Sequence, residues 1–161
     1  METYNEKNAK LKIEFIEKRQ AAFQKFNAQR QQIMDAKEIA GRRFDEDKQR
    51  LQEELDKAIE HEHNLQFCGH SDLSELVIKA KAKIRELHKK QTDNKIAFMN
   101  QIREFAKAQN IIVSAYREEK IAIDREKAER QLQIEAEERE RKELLSLSNT
   151  EIENGDKEEE N

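Results

Sequence analysis

The chain has 161 residues, of which 41% are charged and 35% hydrophobic, with a formal net charge of −4. A mean hydropathy of −1.11 is too polar for a thick globular core. The net negative charge gives no overall attraction to nucleic acid or anionic lipid, and no run approaches the roughly 18 apolar residues a membrane-spanning helix needs.

What remains is disorder or a thin helical assembly. The chain has no proline and is dominated by Glu, Lys, Gln, Arg, Ala, Leu and Ile, which favours helix. The expected fold class is all-α: a long two-helix antiparallel coiled-coil hairpin with a disordered acidic C-terminal tail.

The first helix is expected over about 4–65. It opens on a capping box in which Thr3 caps and Glu6 reaches back to the Thr3 amide. Its seven-residue seam runs through Ile16, Phe23, Arg30, Lys37, Phe44, Leu51, Ala58 and Leu65, completed by Phe26, Ile33, Ala40 and Leu55. Arg30 and Lys48 interrupt the apolar contact and read as register devices. The turn spans 66–72, with Gly69 suited to the left-handed residue that ends a helix and Asp72 with Glu75 offering a second capping box.

The second helix is expected over about 73–147, with Val77, Ile84, Gln91, Phe98, Phe105 and Ile112 as its seam and Leu73, Ala80, Leu87, Ile102, Tyr116 and Ile123 beside it. Folding back about Gly69 pairs Leu65 with Leu73, Ala58 with Ala80, Leu55 with Ile84, Ala40 with Phe98, Ile33 with Phe105, Phe23 with Tyr116 and Ile16 with Ile123. Gly41 then lies opposite Phe98, which gives it a packing role. From about Glu135 onward the second helix has no partner and ends in the cluster Leu144, Leu145 and Leu147. Residues 1–148 form the hairpin and 149–161 the tail.

Charge supports the same antiparallel alignment. The basic stretch 79–95 carries Lys79, Lys81, Lys83, Arg85, Lys89, Lys90 and Lys95, and it faces an acidic stretch containing Asp45, Glu53, Glu54, Asp56 and Glu60.

Candidate chemistry is sparse. His61, His63, Cys68 and His70 are zinc-compatible donors at the tip, but their spacing matches no common finger. On an intact helix His61 and His63 point about 200° apart, so they read as polar tip residues with Phe67 or Cys68 tucked over the last layer. No nucleophile elbow, phosphate loop or HExxH is present, so no enzyme activity, cofactor or metal is expected.

Apolar residues exceed what one seam can use near the open end: Leu11, Ile13 and Phe15 on the first helix, Ile111, Val113 and Ile121 on the second. These are the expected protein-binding residues, for a homodimeric helical bundle or another protein's helix. A single cysteine and an N-terminus without an apolar signal core point to the cytoplasm.

The resulting reading is a non-enzymatic structural or assembly protein: adaptor, spacer, scaffold or chaperone. In outline alone it is similar to the small helical-hairpin chaperones of secretion systems and to helical scaffolding proteins of viruses; no motif assigns it to either. The alternative is a nucleic-acid-associated accessory protein using Lys79, Lys81, Lys83, Arg85, Lys89 and Lys90.

Overall fold

The computed structural model describes residues 1–159, with side chains to residue 155. It consists of two long helices packed against each other, α1 over Tyr4–Phe67 and α2 over Glu75–Glu159. The chain divides into two units, Met1–Asn27 with Val113–Asn161, and Ala28–Ile112, and each is an antiparallel helix pair with its own core.

The start of α1 follows from its sequence. The Glu6 amide donates to Thr3 Oγ1 at 3.2 Å and the Thr3 amide donates to Glu6 Oε2 at 2.9 Å, the reciprocal capping box. Its end is equally local: the His70 amide donates to the Leu65 carbonyl at 3.1 Å and the Gly69 amide to the Gln66 carbonyl at 3.0 Å. This is a Schellman closure, and it requires the residue after the cap to be left-handed, which Gly69 supplies with φ of 91°.

The second cap differs from expectation. Residues 68–74 form the connection, Ser74 stands at the cap position, and Asp72 instead accepts from Gln66 Nε2 at 3.1 Å and Lys81 Nζ at 3.3 Å. Leu73 precedes the helix and is exposed, so its pairing with Leu65 does not form. Phe67 and Cys68 are exposed as well and cover no core layer.

The connection is as long as expected but sits two residues later in the chain, which moves the register by about one helical turn. In the second unit the numbers of facing residues total 142 or 143, as in Phe44 with Phe98, Gln52 with Gln91 and Glu62 with Lys81. In the first unit they total 142 to 144, as in Phe26 with Tyr116, Lys7 with Glu137, Glu14 with Arg130 and Arg19 with Asp124. The expected totals are four or five lower. Because positions i and i+4 share a helix face, both alignments satisfy the apolar pattern, and the place where the chain leaves α1 and enters α2 selects between them.

The seam of α1 is corrected too. From Leu11 onward its inward stripe runs Leu11, Phe15, Lys18, Ala22, Phe26, Gln29, Ile33, Ala36, Ala40, Phe44, Asp47, Leu51, Leu55, Ala58, Glu62 and Leu65, with Glu14 and Gly41 half-buried at its edges. Leu11, Gln29, Asp47 and Leu65 stand 18 residues and five seam positions apart. That is the 3.6-residue pitch of an unsupercoiled helix, not a heptad. A heptad drawn back from Phe44 therefore drifts off the core, leaving Ile16, Phe23, Arg30 and Lys37 exposed. Lys48 is exposed as well, so neither it nor Arg30 acts as a register device inside the seam.

Three smaller corrections follow. A Cβ at Gly41 would meet nothing within 4 Å, so the glycine makes no room for Phe98 within its own chain. Ile134 packs against the core cluster of the first unit and Glu137 pairs with Lys7, so α2 is partnered past Glu135. The helix also continues past Leu147 to Glu159, with Thr150 Oγ1 donating to the Ser146 carbonyl at 2.9 Å, because residues 148–154 hold neither proline nor glycine. The end of the expected disordered tail, residues 160–161, lies outside the described residues.

One polar group in the first unit stands out. Asn8 Oδ1 is buried without a hydrogen-bond partner among the described residues. Replacing Asn8 with leucine removes that unmet acceptor and adds a better helix former. The variant should be more stable by about 1–2 kcal/mol, read as a higher urea midpoint.

Candidate protein-contact faces

In the first unit, the core holds Leu11, Phe15, Ala22 and Ile123, with Tyr116 and Ile134 packed against it. Phe26 stacks on Tyr116 at 4.5 Å between ring centroids. Phe15 sits under two cations, Lys18 Nζ at 4.7 Å and the Arg130 guanidinium carbon at 5.4 Å from its centroid. Of the expected contact residues here, Leu11 and Phe15 are thus turned inward, Val113 is half-buried, and Ile13 and Ile121 are exposed.

One side of this helix pair is closed by charge. Lys7 pairs with Glu137 at 2.5 Å, Arg130 with Glu14 at 2.5 Å and Lys18 with Glu126 at 2.8 Å. The hydrogen bond from Arg130, with Lys18 adding to it, holds the Glu14 carboxyl below its ordinary 4.5, and Arg141 does the same to Glu138. A carboxyl with a lowered folded-state pKa contributes stability that is present above about 4.5 and lost as pH falls through the folded value. The thermal midpoint should therefore hold from neutrality to about pH 5 and drop below about pH 4.5, and Glu14→Gln should blunt that drop in circular dichroism melts.

Beyond these pairs, Ile134, Glu137, Glu138, Arg141 and Leu144 share a shallow groove with Tyr4 and Lys7. Leu145 and Leu147 are exposed.

In the second unit the core is Leu51, Leu55 and Leu87, flanked by Ala58 and Ile84, with Phe44 and Phe98 stacked at 4.2 Å farther along. The helix pair has two sides. Ala36, Ile39, Arg43, Asn94, Ala97 and Gln101 line a groove on one; Lys48, Gln52, Gln91 and Lys95 line a groove on the other. At about 100° per residue, Met34 and Ile59 of α1 and Met99 and Ile102 of α2 fall on that second side, as does Gly41. All four large side chains are exposed. Ile111 is also exposed but points away from both grooves by the same geometry.

The acidic and basic stretches lie opposite each other as expected, yet few charges close across the pair. Lys81 reaches Glu62 at 4.0 Å, whereas Lys79 and Lys90 pair along their own helix with Glu75 and Glu86, each at 3.2 Å. Among the described residues Lys83, Arg85, Lys89 and Lys95 form no ion pair, and neither do Asp45, Glu53, Glu54, Asp56 and Glu60. At the tip, His70 Nδ1 lies 3.4 Å from Ser74 Oγ. Among the described residues no three His, Cys, Asp or Glu side chains converge in a way that could hold a metal ion, so His61, His63, Cys68 and His70 are not brought together.

The face carrying Met34, Ile59, Met99 and Ile102 is not among the contact residues expected from sequence. Its signal is there: each stands beside a seam position on the same flank, where a two-helix pair cannot cover it. Among the described residues no helix is long and apolar enough to cross a membrane. Comparison with family models, with curated proteins and with solved structures yields no match.

Proposed function

We propose that the chain is a non-enzymatic cytoplasmic assembly protein, an adaptor, spacer, scaffold or chaperone, that works by packing a helix-pair face against protein. The observation that carries this is the uncovered row Met34, Ile59, Met99 and Ile102 on one side of the second unit. Two helices bury one stripe each; large apolar residues on the adjoining flank are the composition of a wider bundle. The grooves beside them mix apolar side chains such as Ile39 and Leu51 with charged and amide groups such as Arg43, Gln52 and Lys95, a composition suited to protein contact.

Crosslinked capture with the full chain tests this, comparing wild type with a Met99→Glu, Ile102→Glu variant. Proteins, including further copies of the chain, held by wild type and lost from the variant support the reading; an identical set from both overturns it.

The nucleic-acid reading retains one favourable observation, the cations Lys83, Arg85, Lys89 and Lys95 without ion-pair partners. At about 100° per residue they turn around α2 and do not line one phosphate track. A salt-sensitive mobility shift lost on replacing Lys83, Lys89 and Lys95 would favour it over the assembly reading.

A further inference from the structure

We infer that the uncovered face of the second unit is covered by a second copy of this chain, in a two-fold arrangement with the two helix pairs side by side and pointing the same way. The inference rests on the proposed protein-contact role and names its partner. Three observations on different physical grounds select a second copy.

The first is area. From Met34 to Ile59 the face is about 38 Å long, and two adjacent helices make it about 20 Å wide. Covering it on both copies removes roughly 1,500 Å², the size of a stable specific interface.

The second is charge. Placing two pairs side by side in the same direction makes α1 of each a neighbour of α2 of the other at the same level, so all four adjacent helices are antiparallel. The acidic stretch of one copy then meets the basic stretch of its partner. Asp45 and Asp56, which form no ion pair among the described residues, come within one helical turn of a second copy's Lys95 and Arg85, which form none there either. Turning the second copy end for end sets like helices against each other and loses this match.

The third is shape. Gly41 leaves an open position on this face, with nothing of its own chain within 4 Å of a Cβ. With facing numbers totalling 142 or 143, as for Phe44 with Phe98, it stands level with Gln101 and Ile102. The branched side chain of Ile102 on a second copy seats over the glycine, and by symmetry the reverse contact forms as well.

Sedimentation equilibrium of the full chain, with a nitroxide on the native exposed Cys68, tests this. Wild type should sediment at twice 19.1 kDa. Ile102→Glu should fall to the single mass with its helical circular dichroism retained, and Ile111→Glu, off the face, should keep the doubled mass. Gly41→Phe supplies a second disrupting change should Ile102→Glu misfold. The two labels should lie within about 40 Å, since the tips of parallel pairs are neighbours.

A wild-type mass of 19.1 kDa, a doubled mass that survives both Ile102→Glu and Gly41→Phe, or labels roughly 60 Å or more apart would overturn the arrangement. A monomeric wild type that still loses captured proteins on Ile102→Glu would remove the second copy and leave the assembly role standing. A monomer from which nothing is lost would remove both.

Discussion

Replacing Phe15 with alanine should destabilise the first unit by about 3–5 kcal/mol, whereas the same change at Phe23 should cost under about 1 kcal/mol. The two phenylalanines stand eight residues apart on α1, and a heptad frame assigns the core to Phe23. Phe15 is 1% exposed, in a cluster with Leu11, Ala22 and Ile123, and Phe23 is 50% exposed. Truncating Phe15 removes the largest side chain in that cluster and strips the face on which Lys18 and Arg130 rest, two cation contacts of about 0.5–1 kcal/mol each. Phe23 gives up a tilted contact with Tyr116 at 6.4 Å, and Tyr116 keeps its stack on Phe26. Urea titrations of the two variants followed by far-ultraviolet circular dichroism decide it. Equal losses, or a greater loss at Phe23, would refute the 3.6-residue seam.

That contrast shows which parts of the fold are legible in the sequence. Helix existence, chain reversal, the Thr3–Glu6 box and the glycine closure at Gly69 are local, set by a few neighbouring residues and their backbone demands, and each is found where the residues place it. Register is not local. The apolar pattern is degenerate under a shift of one turn, and it takes the connection through Ser74 to choose, which in turn depends on Asp72 being drawn to Lys81 and Gln66 instead of capping.

Period has the same character, since steps of three and four describe both a heptad and a 3.6-residue stripe over a few turns. The two diverge only far from the point where they are matched, which is why Phe44, Leu51, Ala58 and Leu65 are placed correctly while Ile16 and Phe23 are not. The same drift assigned Leu11 and Phe15 to the surface. On α2 the error is separate: Ile102, expected beside the seam, is 43% exposed, so the face it shares with Met34 and Met99 is not recognised from sequence.

A second large effect is expected at Leu87, the most enclosed leucine of the second unit, at 0% exposure against Leu51 and Leu55. Leu87→Ala should cost about 2–3 kcal/mol, the lower part of the range for buried leucines. In a two-helix layer the neighbouring side chains of Ile84 and Ala58 are free to shift into the void, so the cavity contribution is small beside the lost transfer energy. Leu87→Asp should cost more, because a carboxylate at the same spot loses its water between Leu51 and Leu55.

Leu73→Ala is the matched control. That leucine lies in the connection at 88% exposure and should change stability by no more than about 0.5 kcal/mol. Native-state hydrogen exchange adds a spatial readout. Because the two units carry separate clusters, Leu87→Ala should speed exchange of amides around Leu51, Leu55 and Ile84 while those around Leu11 and Phe15 keep their protection. Equal acceleration in both sets would mean that the two clusters open as one cooperative body.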